Sequence, residues 1–358
     1  VRNLKRLVEL LGPRSGVVEV TDPSCQRAIW EVRKAGLNIL MAMKGDGKPV
    51  SFVEDCAVEL TDLPDYTARL DEIFHRHGTD GTWYAHASVG TLHVRPILNM
   101  KDGSDVARMR AIAEECFAMV RAYKGSHSGE HGDGIVRSEF HPAMFGDRLV
   151  RAFEEVKDAF DPAGLFNPGK IVRPHRMDDR SLFRYTPDYC LKAPPEALDW
   201  SAWHSFAGAV EMCNNNGACR KADADVMCPS YRVTRDEIHS TRGRANSLRL
   251  ALSGQLGDDA FVSDEMYETM RLCVGCKGCK RECPTGVDMA RMKIEFLHHY
   301  RARHGIGLRD RLFAYLPRYA AHPLAPLLNL GALPGFAYIS RVALGLARRS
   351  LPHWHRDR

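Results

Sequence analysis

Long apolar runs are scarce in this 358-residue sequence, and that scarcity excludes a spanning helix. The most apolar stretch, Tyr319 to Ser340, is interrupted by Pro323, Pro326 and Pro334 and carries His322 and Asn329. It is expected to pack on another domain or to touch a membrane surface, and the short basic segment Val342 to Leu351 fits either. No Lys/Arg tract is interleaved with aromatic residues, so the net charge of +5 does not point to nucleic acid. No secretory leader is visible: the first twenty residues mix charged and apolar types. The chain also opens at Val1 without a glycine-rich nucleotide fingerprint nearby, and the expectation is a piece of a larger polypeptide. Composition is otherwise that of a soluble protein, 44% hydrophobic and 27% charged, long enough for two or three domains.

Cysteine, by contrast, is plentiful and unevenly placed. Of eleven cysteines, seven fall between Cys213 and Cys283. That clustering suits reduced thiols in a cytoplasmic or membrane-peripheral protein better than a secreted disulfide scaffold. Cys273, Cys276, Cys279 and Cys283-Pro284 have the spacing C-x2-C-x2-C-x3-C-P, the bacterial ferredoxin-type run for a [4Fe–4S] cluster. In that run three thiolates wrap one cubane and the fourth usually ligates a neighbouring cluster. An imperfect second run, Cys213, Cys219 and Cys228-Pro229, carries Asn216 where a middle cysteine would stand. If the crossing holds, one cluster takes Cys273, Cys276, Cys279 and Cys228. The other takes Cys213, Cys219 and Cys283 and is a [3Fe–4S] centre, a cubane with a non-cysteine ligand, or absent. A structural zinc site is the competing reading of the same thiols, though the close spacing packs them tighter than zinc knuckles do.

The first half reads as α+β. A helix begins at Asp22-Pro23 and ends at Gly36. Val50 to Val58 reads as a strand, and Leu63-Pro64 opens a helix carrying Tyr66, Leu70, Ile73 and Phe74. Thr82 to Ala87 and Thr91 to Leu98 alternate as paired strands turning at Gly90. Helices over Asp105 to Tyr123 and Asp147 to Phe160 complete an antiparallel sheet with helices on one face. Two polar constellations stand out: His86 and His93 on consecutive strands, and His127-Ser-Gly129-Glu130-His131-Gly132-Asp-Gly134. Two histidines and a carboxylate make a divalent metal set with open positions for substrate oxygens. Such a metal would polarise a 2-hydroxy acid, and a neighbouring histidine could accept its hydroxyl proton. A histidine pair seven residues apart is weak evidence by itself. His127 also reads as a surface or packing residue, and His75, His77 and His141 as ordinary helix-end or loop residues.

Taken together, His86-x6-His93, Ser128-Gly-Glu-His-Gly132 and Asp161-Pro-Ala-Gly-Leu-Phe-Asn-Pro-Gly-Lys170 resemble the C-terminal cap domain of the FAD-linked oxidases, which include D-lactate, glycolate and D-2-hydroxyglutarate dehydrogenases. With the cysteine region, the resemblance extends over about residues 20 to 315, to bacterial fusions of such a flavoenzyme with an iron–sulfur module. It implies a cap domain over 1–176, a linker over 177–205, an α-helical ferredoxin-type domain over 206–305 and a tail over 306–358. His86, His93 and Glu130 match the metal ligands, His131 the active-site base, and Arg33 the arginine that holds a substrate carboxylate; Lys48 is a looser second anion contact. Asn167 and Lys170 belong to the segment that returns to the flavin pocket, with Gly129 and Gly132 giving the flat cofactor close approach.

Departures from the family are also visible. Ser88-Val-Gly-Thr91 replaces the usual Gly-Asp-Gly-Asn. Arg95 stands where relatives have asparagine, and an arginine there would suit a diacid such as 2-hydroxyglutarate over lactate. The implied cofactors are FAD, one or two [4Fe–4S] clusters and a divalent metal such as Zn or Mn. The flavin-binding domain, which residues 1–80 do not resemble, would come from the same or another polypeptide, and electrons would leave to a quinone or carrier protein. The alternative is a non-catalytic iron–sulfur subunit that docks a partner, or a zinc-stabilised interaction protein. Arg242 and Arg244 read either as anion or interdomain contacts or as a solvated helix start.

Overall fold

The computed structural model describes residues 2–12, 18–222, 226–321, 327, 329–330 and 333–345. It divides into two compact units, Val1–Lys293 and Ile294–Arg358.

The first unit opens with helices α1 (Arg2–Leu11) and α2 (Pro23–Met41). Asp22 caps α2, accepting the N–H groups of Ser24 at 3.0 Å and Cys25 at 2.8 Å, while Pro23 fills the first helical turn. The helix does not end at Gly36 as expected. One glycine costs a helix only about 1 kcal/mol, and the C-terminal carbonyls of Asn38, Ile39 and Leu40 are capped by the Ala42 N–H instead.

Four antiparallel strands follow: β1 (Lys48–Pro49), β2 (Cys56–Ala57), β3 (Gly81–His86) and β4 (Thr91–Leu98). β4 is central. β3 pairs along it from Gly81↔Pro96 to His86↔Thr91, whereas β1 and β2 share its other side, at Leu98 and Leu92 respectively. The single strand expected over Val50 to Val58 is broken, because Asp55 adopts a φ of 82° and turns the chain out of pairing. The β3–β4 connection passes through Gly90 at φ 70°, where a Cβ would lie 2.0 Å from the Val58 carbonyl oxygen.

Strand alternation sorts the two faces of this sheet. Leu92, Val94 and Leu98 enter the core with Tyr66, Leu70, Ile73 and Phe74 of α3 (Leu63–Arg76) and with Ile112, Ala113, Cys116 and Phe117 of α4 (Gly103–Ala122). Each large side chain buried there contributes about 1.5–3 kcal/mol. The opposite face carries Thr82, Tyr84 and His86 from β3 beside Thr91, His93 and Arg95 from β4. Polar residues on it are not surface decoration: Thr91, His93 and Arg95 are all buried.

Helices α5 (His141–Phe145) and α6 (Asp147–Phe160) lead into a stretch without long helices, pinned by buried Val172, Met177 and Trp200. From Phe206 to Val287 the described residues hold helices α7 (Phe206–Glu211), α8 (Pro229–Thr234), α9 (Thr241–Leu252), α10 (Asp264–Arg271) and α11 (Gly278–Glu282), and no strand. α12 (Met289–His304) crosses into the second unit, which continues through α13 (Leu308–Ala314), α14 (Leu316–Ala320) and α15 (Pro334–Leu344). The expectations placed on His322, Pro323, Pro326 and residues 346–351 lie outside the described residues. No helix among the described residues is long and apolar enough to cross a membrane.

Candidate metal centre and thiolate sites

The polar face of the sheet and the glycine loop after α4 converge on one carboxylate. His86 Nε2 and His93 Nε2 each lie 3.1 Å from Glu130 Oε1, and His131 Nε2 lies 3.6 Å from the same oxygen. The rings are set by mutual packing: His93 stacks on His131 at 4.7 Å and on Tyr84 at 5.1 Å, and His86 meets His93 edge-on at 5.0 Å. One ligand atom each from Asp55, His93, Glu130 and His131 falls within 4.8 Å of the others. Imidazole nitrogens and carboxylate oxygens at these separations fit a divalent ion with bonds of about 2.0–2.2 Å. His93 is buried, and burial followed by the neighbouring His131 holds its pKa below the usual imidazole value. It is therefore poised as the neutral ligand a metal requires.

Asp55 is what brings the loop to the sheet. Its carboxylate, fully buried, accepts the Glu130 N–H at 3.0 Å, the His131 N–H at 2.8 Å and the Ser128 hydroxyl at 3.3 Å. Burial alone would raise its pKa, but the amides of His131 and Glu130 outweigh it and keep the group below the ordinary carboxylate range. Gly129 donates its N–H to the Asp55 carbonyl at 2.7 Å, and a Cβ there would meet that oxygen and Thr91 Oγ1 at 3.1 Å. Arg137 ties the far side of the loop, donating to the Gly132 and Glu54 carbonyls. Glu54 in turn lies 3.6 Å from His131 Nδ1 and 2.5 Å from Arg95 Nε.

Other expected site residues distribute unevenly. Arg33 reaches this centre: its guanidinium lies 4.6 Å over the Tyr84 ring, which itself stacks on His93. Arg95 is buried and holds Glu54 and Ser51 Oγ (2.9 Å), both through Nε. Lys48 is not brought to the histidines. It donates to the Met43 carbonyl and lines a separate cleft of about 800 Å³ with Lys101, Tyr189, Trp203 and Glu211. Asn167, at φ 46°, accepts from Lys170 at 3.3 Å in an exposed turn, and Gly132 takes φ 75°. Glu54, Asp55 and Tyr84 were missed. The available signal was an acidic pair inside the apolar run Phe52-Val53-Glu54-Asp55-Cys56-Ala57-Val58.

Two of the residues read as ordinary are not. His141 is buried, bonded to Asp133 at 2.8 Å and to the Ile171 carbonyl at 3.1 Å. His127 is fully buried, and desolvation pulls its pKa down to about 4.

No disulfide joins the eleven cysteines, all of them among the described residues. Cys228, Cys273, Cys276 and Cys279 line one cavity with Thr241 and Arg244. Cys213 lies close enough to Cys219 and Cys283 for their charges to raise its pKa further, after burial has raised it most. Helix N-termini point at the sulfurs. The Thr241 N–H donates to Cys228 Sγ at 3.0 Å and the Arg242 N–H to Cys219 Sγ at 3.4 Å, at the start of α9. Such donors favour thiolate over thiol. The hydrogen bond between Cys219 and Cys228 draws the Cys219 thiol below its ordinary pKa and raises that of Cys228, so the two share one proton. Asn216 is exposed and its carbonyl oxygen accepts the Ala218 N–H at 2.8 Å, within its own loop. Arg244 is not a solvated helix start: it is buried and donates to Thr269 and His239 carbonyls and to Ser230 Oγ. Arg242 pairs with Glu237 at 2.7 Å.

Residues 3–171 match the family model of FAD linked oxidases, C-terminal domain, and residues 209–287 match the 4Fe-4S dicluster domain. The chain joins an FAD-linked oxidase C-terminal domain to a 4Fe–4S dicluster domain. The oxidase domain carries His86, His93, Glu130 and His131; the dicluster domain carries all seven clustered cysteines. The chain is 33% identical over 350 residues to a D-2-hydroxyglutarate dehydrogenase of Pseudomonas putida, covering 88% of this chain and 34% of that protein. It is 33% identical over 332 residues to one of Escherichia coli, covering 82% and 32%. A D-lactate dehydrogenase of Anaerostipes hadrus is 28% identical over 162 residues, 43% of this chain and 32% of that protein. The chain thus spans about a third of the length of the curated relatives it matches.

Proposed function

We propose that this chain is the substrate-binding and electron-draining part of a D-2-hydroxy acid dehydrogenase, acting on 2-hydroxyglutarate or a similar acid. The observation that carries the reading is the convergence of His86, His93 and His131 on Glu130 in a domain fused to a thiolate-rich module. When bound, a divalent metal such as Zn or Mn supplies Lewis acidity to the hydroxyl and carboxylate oxygens of the substrate. FAD, held by a flavin-binding domain of the same or another polypeptide, would supply the hydride acceptor, and iron–sulfur clusters held by the cysteines would supply single-electron transfer to a quinone or carrier protein.

The chain's own residues do the rest. His131 takes the C2 hydroxyl proton, with Glu54 beside Nδ1 to orient the ring. Arg33 neutralises the C1 carboxylate from its place over Tyr84. Arg95 binds Glu54 and Ser51 through Nε alone and directs its two terminal nitrogens to a second carboxylate, which favours a diacid. Asn167 and Lys170 lie toward the flavin, and Gly129 and Gly132 leave room for it. Lys48 serves as an anion contact in its own cleft. Cys273, Cys276, Cys279 and Cys228 hold one cluster in an α-helical ferredoxin-type domain. Cys213, Cys219 and Cys283 hold the other, and the domain limits follow as 1–176, 206–305 and a tail that touches a membrane surface or another domain.

The test is turnover. The chain, prepared anaerobically and combined with a flavin-loaded FAD-binding domain, should bleach its cluster absorption on addition of D-2-hydroxyglutarate and not of the L isomer. Flavin reduction with the clusters left oxidised would refute the electron path. No reduction of either would refute the substrate class.

A further inference from the structure

A second cluster of ligand-type side chains lies behind the loop, and the reaction just described does not use it. His127, Asp133 and His141 offer one ligand atom each within 4.8 Å of one another. They come from the loop after α4 and from the start of α5, and they are almost wholly withdrawn from solvent: His127 is 0% exposed and His141 2%.

The hydrogen-bond chemistry of the trio is incomplete as it stands. His141 Nδ1 lies 3.1 Å from the Ile171 carbonyl, which can only accept, so Nδ1 carries the ring hydrogen. Its Nε2 stands 2.8 Å from Asp133 Oδ2, a contact satisfied either by a second ring proton or by a cation bound to both atoms. His127 Nε2 stands 3.4 Å from Asp133 Oδ1, and neither ring nitrogen of His127 completes a hydrogen bond, although one is drawn toward the Arg137 carbonyl. Asp133 Oδ1 is likewise buried without a hydrogen-bond donor. Leaving such groups unsatisfied in a protein interior costs about 1–3 kcal/mol each. Arg137 does not repair this. Its Nε lies 3.5 Å from Asp133 and a terminal nitrogen 3.8 Å from Asp55, so one positive charge is shared between two carboxylates.

We propose that His127, Asp133 and His141 bind a second divalent cation, of the zinc class, at a buried three-ligand site distinct from the His86/His93/Glu130 centre. Two imidazoles and a carboxylate exclude magnesium and calcium, which take oxygen ligands, and fit zinc. The separations of 2.8 and 3.4 Å bracket the roughly 3.3 Å between ligands of a tetrahedral ion with bonds near 2.0 Å. The His141–Ile171 contact is the outer bond that fixes a metal-bound imidazole. An ion there ties the loop bearing Glu130 and His131 to α5 and to the segment that ends at Ile171.

Metal content of the iron-replete full chain, washed in metal-free buffer, tests this by elemental analysis. Wild type should hold about two equivalents of non-iron divalent metal per chain, falling to about one in His127→Phe and about one in His86→Ala. Loss of both sites in the double variant completes the pattern. The single equivalent that His127→Phe keeps at the first centre reports that it is folded; Asp133→Asn, closer in shape, serves if it is not. One equivalent in wild type, or two remaining in a folded His127→Phe, would overturn the proposal. Because the first centre is counted through His86→Ala, its failure and that of the second site read out separately.

Discussion

Replacing Asp55 with asparagine removes one charge and almost no volume, and the structure gives the cost. The carboxylate accepts two backbone N–H groups, from Glu130 and His131 at 3.0 and 2.8 Å, with full burial. Charge-assisted bonds contribute about 1.5–3 kcal/mol each and neutral ones about 0.5–1.5, so the two together lose about 2 kcal/mol. The new amide nitrogen faces the Glu130 N–H without an acceptor, adding about 1–3 kcal/mol. Arg137, 3.8 Å away, loses half of its counter-charge. A total near 4 kcal/mol corresponds to a fall of about 8–16 °C in Tm for a domain of this size. Scanning calorimetry of wild type and Asp55→Asn measures it. Ser128→Ala, which removes only a 3.3 Å contact to the same carboxylate, should move Tm by no more than about 2–4 °C. Equal transitions in Asp55→Asn and wild type would refute the idea that this buried charge anchors the loop.

Four further outcomes follow from the same geometry. Arg95→Ala should raise KM for 2-hydroxyglutarate far more than for lactate in steady-state assays with the flavin domain supplied; equal effects would exclude the second-carboxylate role. Arg244→Gln should shift the midpoint potential of the cluster beside Cys228 to a more negative value in a redox titration, because a buried positive charge lining that cavity favours the added electron. Stability should fall at alkaline pH. Burial raises the Cys56 thiol to about 11 from 9.0, so the unfolded chain ionises first; the stabilisation is complete below pH 9 and about 3 kcal/mol is lost as pH rises through 11. Urea titrations at those pH values should lose that part of their pH dependence in Cys56→Ala, while buried Cys116 and Tyr66, also raised by desolvation, keep theirs. Phe74→Ala should cost about 3–5 kcal/mol in the same assay, since the ring is fully buried against Gly81 and Trp83.

Periodicity carried the helices well. The ring of apolar residues Tyr66, Leu70, Ile73 and Phe74 placed α3, and α6 runs Asp147–Phe160 as its pattern implies. Glycine misled at Gly36, where a local preference of about 1 kcal/mol yields to the helix continuing on both sides. Consecutive strands turning at Gly90 implied that His86 and His93 could converge, and the observed register puts both on one face with Tyr84 and Arg95. What alternation could not reveal was Asp55. Its role depends on a positive φ and on a loop seventy-five residues later, and neither leaves a local mark in the chain. Burial of His127 and His141 was illegible for the same reason: histidine is tolerated inside or outside, and only the packing of α5 against the loop decides. The cysteine spacing was the most legible feature, since three thiols two residues apart constrain their own loop. The crossing of Cys228 to them was legible from the ferredoxin pairing rule, and the four line one cavity.

Elemental analysis of a single anaerobic preparation tests the account's central claim most directly, with iron, acid-labile sulfide, zinc and manganese counted per chain. Serine at 273, 276 and 279 together should remove the iron and sulfide of that one cluster while the non-iron metal stays. Alanine at His86 and His93 should remove one equivalent of that metal while iron and sulfide stay. Zinc in place of iron at the cysteines, or a non-iron metal count indifferent to both histidines, would contradict it.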